Sequence, residues 1–155
     1  MIVMPVEHQY VTTMVPLTFT YNYRVGAYLE KYLQGLAQKK LFGVTCPQCK
    51  RVLLPPRSAC GLCHTQPEEW VEVQPTGTLE IFTVAHVTIE KGEIKDLPEP
   101  LIIGMIRLDG ADSLLTARIQ GIKPDRCRKG LRLKAVWKDP PGGTVHDLDH
   151  FEPVT

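Results

Sequence analysis

The sequence predicts a mainly β protein: an N-terminal amphipathic helix, then a cysteine-bound metal ribbon, then a five-stranded closed barrel of OB type. Three features of the chain carry this. Four of its five cysteines form two C-x-x-C steps ten residues apart. From Trp70 onward, apolar and β-branched runs are cut by turn residues often enough to give five strands within residues 71–155. Twelve glycines and 13 prolines in 155 residues favour short strands over a helix bundle.

The length fits one domain, or two very small ones sharing a core, and excludes a multi-domain catalytic machine. Lys and Arg number 18 against 17 Asp and Glu, a formal charge of +1, so no global field points to a nucleic acid or an anionic membrane. Apolar residues make up 43% and aromatics 7%, enough for a compact core without large aromatic clusters. No uncharged apolar stretch approaches the ~18 residues of a membrane span. The first basic residue is Arg24, so the positive n-region of a signal peptide is missing, and a cytoplasmic location is expected.

Residues 1–21 lack any helical or strand period, carry Pro5 and Pro16, and read as an extension that depends on a partner for order. Over 22–43, Val25, Tyr28, Leu29, Tyr32, Leu33, Leu36 and Ala37 recur at helical spacing. Lys39 and Lys40 suit the helix C-terminus, with Gly43 just beyond, while Gly26 and Gly35 each weaken the helix by roughly 1 kcal/mol relative to Ala. The stripe can cover the chain's own core or dock on another subunit, and the sequence does not choose between them.

Residues 44–70 form the expected ribbon, with Val52-Leu53-Leu54 as a short strand leading into Pro55-Pro56-Arg57. The barrel occupies 71–155; the alternative for these strands is an open five-stranded sheet, which would leave two edges to protect. After Trp70 to Val73 and a turn at Pro75-Thr76-Gly77, Leu79 to Ile89 is a long run whose alternation shifts phase near Ala85, the mark of a bulge or a sharp coil. Glu90 to Pro100 reads as a loop. Leu101 to Leu108 and Ser113 to Gln120 flank the hairpin signal Asp109-Gly110. Leu131, Leu133, Ala135 and Trp137 alternate with basic residues, and Pro140-Pro141-Gly142-Gly143 turns the chain into a last segment near Phe151.

Cys46-Pro47-Gln48-Cys49 and Cys60-Gly61-Leu62-Cys63 offer the four thiolates that a tetrahedral ion takes at about 2.3 Å each. Zinc is the first choice, although sulfur spacing alone does not separate it from rubredoxin-type iron. A redox pair of thioredoxin type needs only one such step. His64 follows the second knuckle and is expected on the surface, outside a filled shell.

Between Arg118 and Lys138 eight basic residues face one acid, Asp125, whereas residues 68–99 hold eight acids and two lysines. A plain account pairs these charges across the surface; a sharper one makes the basic stretch a phosphate site, on a nucleic acid or on a cofactor such as coenzyme A. The stretch contributes only Trp137 as a stacking aromatic. Cys127 sits between Arg126 and Arg128 with no base patterned beside it and reads as incidental. His146-Asp147-Leu148-Asp149-His150 is expected as a polar surface or interface strand with both Asp on one face, and His86 as a core or interface residue. No nucleophile-plus-base set and no nucleotide fingerprint is present, so no catalytic residue is assigned.

The helix, Cys46-x-x-Cys49, Pro55-Pro56-Arg57 ahead of Cys60-x-x-Cys63, Trp70, Gly77 and the strand with Phe82-Thr83 together resemble a known family. It is the acyl-CoA-associated proteins with a rubredoxin-like zinc ribbon and an OB fold, long called domain of unknown function thirty-five. The likeness spans about residues 22–153 and takes in Gly130-Leu131 and Phe151-Glu152-Pro153; it is most specific at Pro-Pro-Arg. Lys50 departs from it, standing where glycine is common. The resemblance implies one structural zinc on Cys46, Cys49, Cys60 and Cys63. It also implies an accessory subunit of a thiolase-type enzyme, hetero-oligomeric, whose catalytic residues lie on the partner and whose acyl-CoA site this chain shapes. Arg126, Arg128 and Lys129 are then the expected contacts to coenzyme A phosphates. Degradation of an aromatic acyl-CoA by a β-oxidation-like route is the expected setting, while some members instead partner hydratases. The alternative from another class is a zinc-ribbon OB module binding single-stranded nucleic acid, which the scarcity of strand aromatics disfavours.

Overall fold

The computed structural model describes Met14 and residues 23–154, so the expected extension over 1–21 lies outside the described residues apart from Met14. Helix α1 spans Gly26–Ala37 and buries Tyr32, Gly35 and Leu36, with Leu29 and Leu33 packed against the same core. The amphipathic stripe therefore covers the chain's own core from Leu29 onward, while Val25 is left exposed. Gly35 has a use that helix propensity does not reveal. A Cβ there would stand 2.6 Å from the Phe42 ring, so the glycine lets the next strand approach the helix closely.

The helix ends otherwise than the sequence suggests. Lys39 takes the left-handed conformation (φ 59°) in place of glycine, its N–H donates to Leu36 O and the Lys40 N–H to Gly35 O, closing the last carbonyls. Gly43 is not a cap at all. It lies within strand β1 (Leu41–Thr45), where a Cβ would meet Val52 at 3.0 Å.

Strand β1 is the centre of a three-stranded antiparallel sheet, flanked by β2 (Val52–Leu53) and β3 (Glu69–Val73). Strand β3 runs across the division expected at residue 70 and pairs wholly with β1, from Leu41↔Val73 to Thr45↔Glu69. The helix holds this sheet through aromatic contacts: the Tyr28 hydroxyl donates to Pro67 O, its ring lies 5.6 Å from that of Trp70, and Lys31 Nζ sits 4.4 Å over the Trp70 ring.

The remaining five strands close a barrel in the order β4-β5-β6-β8-β7, with β4 Thr76–Glu90, β5 Glu93–Leu108, β6 Leu114–Ile119, β7 Arg132–Trp137 and β8 Leu148–Pro153. The order follows the OB pattern, β6 and β8 pairing in parallel at Ile119↔Phe151 and β7 closing onto Thr76–Thr78. Leu79, Ile106, Leu133 and Phe151 fill the interior. Gly104 makes room for them, since a Cβ would lie 2.6 Å from both Leu79 and Ile119. The phase shift near Ala85 is a bulge between Ala85 and Val87, and a second bulge lies between Leu79 and Ile81.

The Glu90–Pro100 segment corrects the reading of it as a loop. Strands β4 and β5 continue past the barrel as a two-stranded arm, Val87↔Asp96 to Glu90↔Glu93, turned by Lys91 (φ 52°) and Gly92 (φ 85°). Two successive positive φ values are the requirement of a type I′ turn. Pro98 and Pro100 lie where the ladder is interrupted, between Leu101 and Asp96, and so deny no hydrogen bond to a neighbour.

The turn between β5 and β6 joins barrel to ribbon. Asp112 accepts from Val52 N (2.8 Å) and donates its own N–H to Val52 O (2.9 Å). Ser113 Oγ accepts from Leu54 N (2.6 Å) and donates to Leu54 O (2.8 Å). Strand β2, otherwise an edge of the small sheet, is thereby paired on its outer side.

Candidate metal centre

Both knuckles use one backbone device. After Cys46-x-x-Cys49, Lys50 turns left-handed (φ 59°) and donates its N–H to Cys46 O, while Cys46 N donates to Arg51 O. After Cys60-x-x-Cys63, His64 does the same (φ 56°) with Cys60 O, and Cys60 N donates to Thr65 O. The left-handed turn explains why glycine suits the place of Lys50. It also puts His64 on the exposed side of its knuckle, outside the cysteine cluster, as expected.

The four Sγ atoms all lie within 4.8 Å of one another, and those of Cys49 and Cys60 are 3.8 Å apart. Four metal–sulfur bonds of about 2.3 Å in a tetrahedron require sulfurs about 3.8 Å apart, so the donor set fits zinc. The Cys46 thiol is drawn down to about 6 by the Cys49 N–H and by the Thr65 hydroxyl at 3.3 Å, which favours thiolate. Burial and the neighbouring sulfurs of Cys49 and Cys46 push Cys63 up to about 12, a crowding that a dication relieves. Cys46, Cys49, Cys60 and Cys63 would hold the ion. With every position taken by sulfur it would cross-link the ribbon and leave no open position for a substrate.

The basic stretch divides. Arg132 binds Asp109 with both terminal nitrogens, Lys134 pairs with Glu152 at 3.0 Å, and Lys129 reaches Glu80 at 3.5 Å. The Arg132 guanidinium and then the Thr76 hydroxyl hold the Asp109 carboxyl at about 2. Arg118, Lys123, Arg126 and Arg128 are exposed without a carboxylate partner among the described residues. Trp137 packs against the barrel core, so this face offers no free indole for base stacking. A groove of about 640 Å³ runs between Leu97–Ile102 of β5 and the end of β6 with Arg118, and Lys123 and Arg126 line an adjoining hollow.

Three other candidates resolve differently from expectation or more sharply. Cys127 is buried, and burial pushes its thiol above the ordinary value, which disfavours a nucleophile. His86 is exposed beside the bulge, not in the core, because the interrupted ladder leaves its strand uncovered there. Asp147 is fully buried, not a surface carboxylate, because residues 145–147 form a short 3-10 turn and not a strand. Its carboxylate accepts from the backbone N–H of Gly142, Gly143 and Thr144, with the Gly142 bond the chief reason its pKa is lowered. A signal did exist in Thr144 and Asp147, which form a capping box. No helix among the described residues is long and apolar enough to cross a membrane.

Two family models match the chain. That of the ChsH2 rubredoxin-like zinc ribbon domain covers residues 33–68, and that of the ChsH2 C-terminal OB-fold domain covers residues 70–138. Among solved structures, the chain is similar to a protein of unknown function of the DUF35 family from Sulfolobus solfataricus. The two share 26% identity with a TM-score of 0.59, over 72% of this chain and 78% of that one. It also shares the fold of the Ltp2-ChsH2(DUF35) aldolase, with 20% identity, a TM-score of 0.62 and coverage of 85% and 98%. No curated protein matches the sequence.

Proposed function

The chain belongs to the DUF35 family of ChsH2-type zinc-ribbon and OB-fold proteins, and from that premise we propose that it is the zinc-containing accessory subunit of a thiolase-type acyl-CoA enzyme. The partner chain carries the nucleophile and the base. The present chain shapes the acyl-CoA site beside it, in β-oxidation-like degradation of an aromatic acyl-CoA.

The observation that carries this reading is chemical. Five thiols are present, yet four are grouped as metal ligands and the fifth, Cys127, is buried with a raised pKa. A thiolase reaction needs an exposed thiolate with a base in reach, so the chemistry falls to another chain. The Ltp2-ChsH2(DUF35) aldolase, in which a chain of this fold is named together with a second protein, supports a reading with a partner chain.

Arg126 and Arg128, exposed and without carboxylate partners among the described residues, are the residues of this chain that meet coenzyme A phosphates; Lys129 joins them by leaving Glu80. The groove at Leu97–Ile102 and Arg118, with its apolar wall beside that cationic end, suits an acyl thioester better than a polynucleotide. Reconstitution tests the reading. The chain co-expressed with thiolase-type chains of the same genome should co-elute with one of them, and the complex should cleave a 3-oxoacyl-CoA in the presence of coenzyme A. The isolated chain should show no turnover. Turnover by this chain alone, or failure of every thiolase-type chain to bind it, overturns the proposal.

A further inference from the structure

Tyr32 is a tyrosine where the core alone would accept phenylalanine. Its side chain lies in the shared core and is only 4% exposed, yet its hydroxyl has no hydrogen-bond partner among the described residues, whereas Tyr28, one turn earlier, donates to Pro67 O. No buried side-chain oxygen or nitrogen of the described residues is sealed off without a partner, so the Tyr32 hydroxyl opens onto free space. That space is a cavity of about 220 Å³, which Tyr32 lines together with Pro55, Arg118 of β6, Val145, and Leu148 and Asp149 of β8. The cavity exists because two barrel strands part. Strands β6 and β8 pair only at Ile119↔Phe151, so the first half of β6 has no strand beside it on that side.

The lining specifies a ligand chemistry. Burial pushes the Tyr32 hydroxyl up to about 12, so it stays protonated and can donate. Arg118, exposed and without a carboxylate partner among the described residues, is the cation of the same wall. Pro55, Val145 and Leu148 are apolar, and Val145, 54% exposed, stands at the open side. The one acid, Asp149, is already engaged, its carboxylate 2.8 Å from His150 Nδ1. A neutral donor and a guanidinium on apolar walls match a carboxylate carried on an apolar body. The volume admits a ligand the size of a single ring and excludes coenzyme A, while the nearby Asp149 charge opposes a phosphate dianion more than a carboxylate. A hydroxyl held in a core without a protein partner is a cost to the fold, which a ligand in the cavity offsets.

We infer that this cavity is a binding site for a small monocarboxylate with an apolar body, of the arylcarboxylate class, whose carboxylate accepts from the Tyr32 hydroxyl and pairs with the Arg118 guanidinium. The free acid is the ligand and not its thioester, since only the acid carries the charge. The site is separate from the four cysteines and does not depend on the accessory-subunit reading. Arg118 also lines the larger groove at Leu97–Ile102, so an acid held in the cavity draws away the cation that the groove offers.

The test is titration of the full, zinc-loaded chain with benzoate, followed by calorimetry and ligand-observed NMR, with benzamide and benzamidine as the neutral and cationic counterparts. Benzoate should bind with a dissociation constant of about 1 mM or tighter, and benzamide at least about 10-fold more weakly. Tyr32→Phe and Arg118→Gln should each weaken benzoate at least about 10-fold, while Arg128→Gln, a cation outside the cavity, should leave it unchanged. Tyr32→Phe should keep or raise the urea midpoint, because the hydroxyl it removes bonds nothing in the described chain. A lowered midpoint means that the hydroxyl serves the fold and overturns the assignment. So does benzoate binding that is absent or indifferent to Tyr32→Phe and Arg118→Gln, which leaves the cavity to water, and so does a preference for benzamidine, which makes Asp149 the recognising group.

Discussion

Replacing Ser113 by alanine should loosen the ribbon from the barrel. The Ser113 hydroxyl accepts from Leu54 N at 2.6 Å and donates to Leu54 O at 2.8 Å, and Leu54 is 1% exposed. Alanine removes both partners at once and leaves a backbone N–H and a carbonyl of a buried residue unpaired. An unsatisfied buried group costs about 1–3 kcal/mol. Ser113 itself is half-buried, so water reaches part of the gap, and the sum is about 2–3 kcal/mol. For a chain of this size that lowers the melting temperature by about 5–10 °C. The effect should appear in urea and thermal unfolding of the zinc-loaded protein followed by circular dichroism, with Ser58→Ala, at an exposed serine, as the control. The tryptophan signal carries further information, since Trp70 is in the ribbon and Trp137 in the barrel. If the two units are one cooperative body, both report the same lowered midpoint. A Ser113→Ala midpoint within about 0.5 kcal/mol of wild type would refute the inference that this turn holds the two units together.

Three further outcomes follow from the geometry. Removal of the metal with a strong chelator, or Cys49→Ser, should unfold the ribbon, and elemental analysis of the native protein should find one zinc per chain; iron, or a folded metal-free ribbon, would contradict it. Gly35→Ala should destabilise by about 1–2 kcal/mol although alanine is the better helix former, because the added Cβ meets the Phe42 ring at 2.6 Å, and urea midpoints give the sign. The Asp109 carboxyl, held at about 2 against an ordinary value of 3.8, stabilises the fold above pH 4, and that contribution is lost as pH falls toward 2. With Arg132 48% and Asp109 41% exposed, solvent screening keeps it under about 1 kcal/mol, so wild-type and Asp109→Asn midpoints should differ slightly at pH 7 and converge at low pH.

The metal ribbon was legible because its chemistry is local. Two C-x-x-C steps state their purpose in eight residues, and the structure adds only the left-handed turns at Lys50 and His64. The barrel was legible from alternation, down to the bulge at Ala85. Proline misled between Glu90 and Pro100. Counted as a breaker, it argues for a loop, but Pro98 and Pro100 fall in the gap of the ladder, and Lys91-Gly92 is itself a hairpin turn. Asp147 was missed because strand alternation was carried one turn too far toward the N-terminus, past the point where the Gly142–Thr144 backbone needs an acceptor. The divided basic stretch was beyond sequence altogether: which of Arg126, Arg128 and Lys129 meets an acid depends on Glu80, some fifty residues away along the chain.

The seam at Thr76–Thr78 also sets an order of events for the growing chain. It joins strands whose partners, Arg132 to Lys134, are made more than fifty residues later, whereas the β4–β5 hairpin closes over a two-residue turn. Loop-closure entropy rewards the hairpin early and the seam late. Emerging from the ribosome, the ribbon and the hairpin can therefore form while the barrel is still an open sheet, with Phe82 and Val84 facing water until β7 and β8 arrive. That interval is when the chain is most prone to pair with the wrong neighbour. The chain is thus exposed during synthesis, before its own last two strands exist, and a chaperone acting on it would act then.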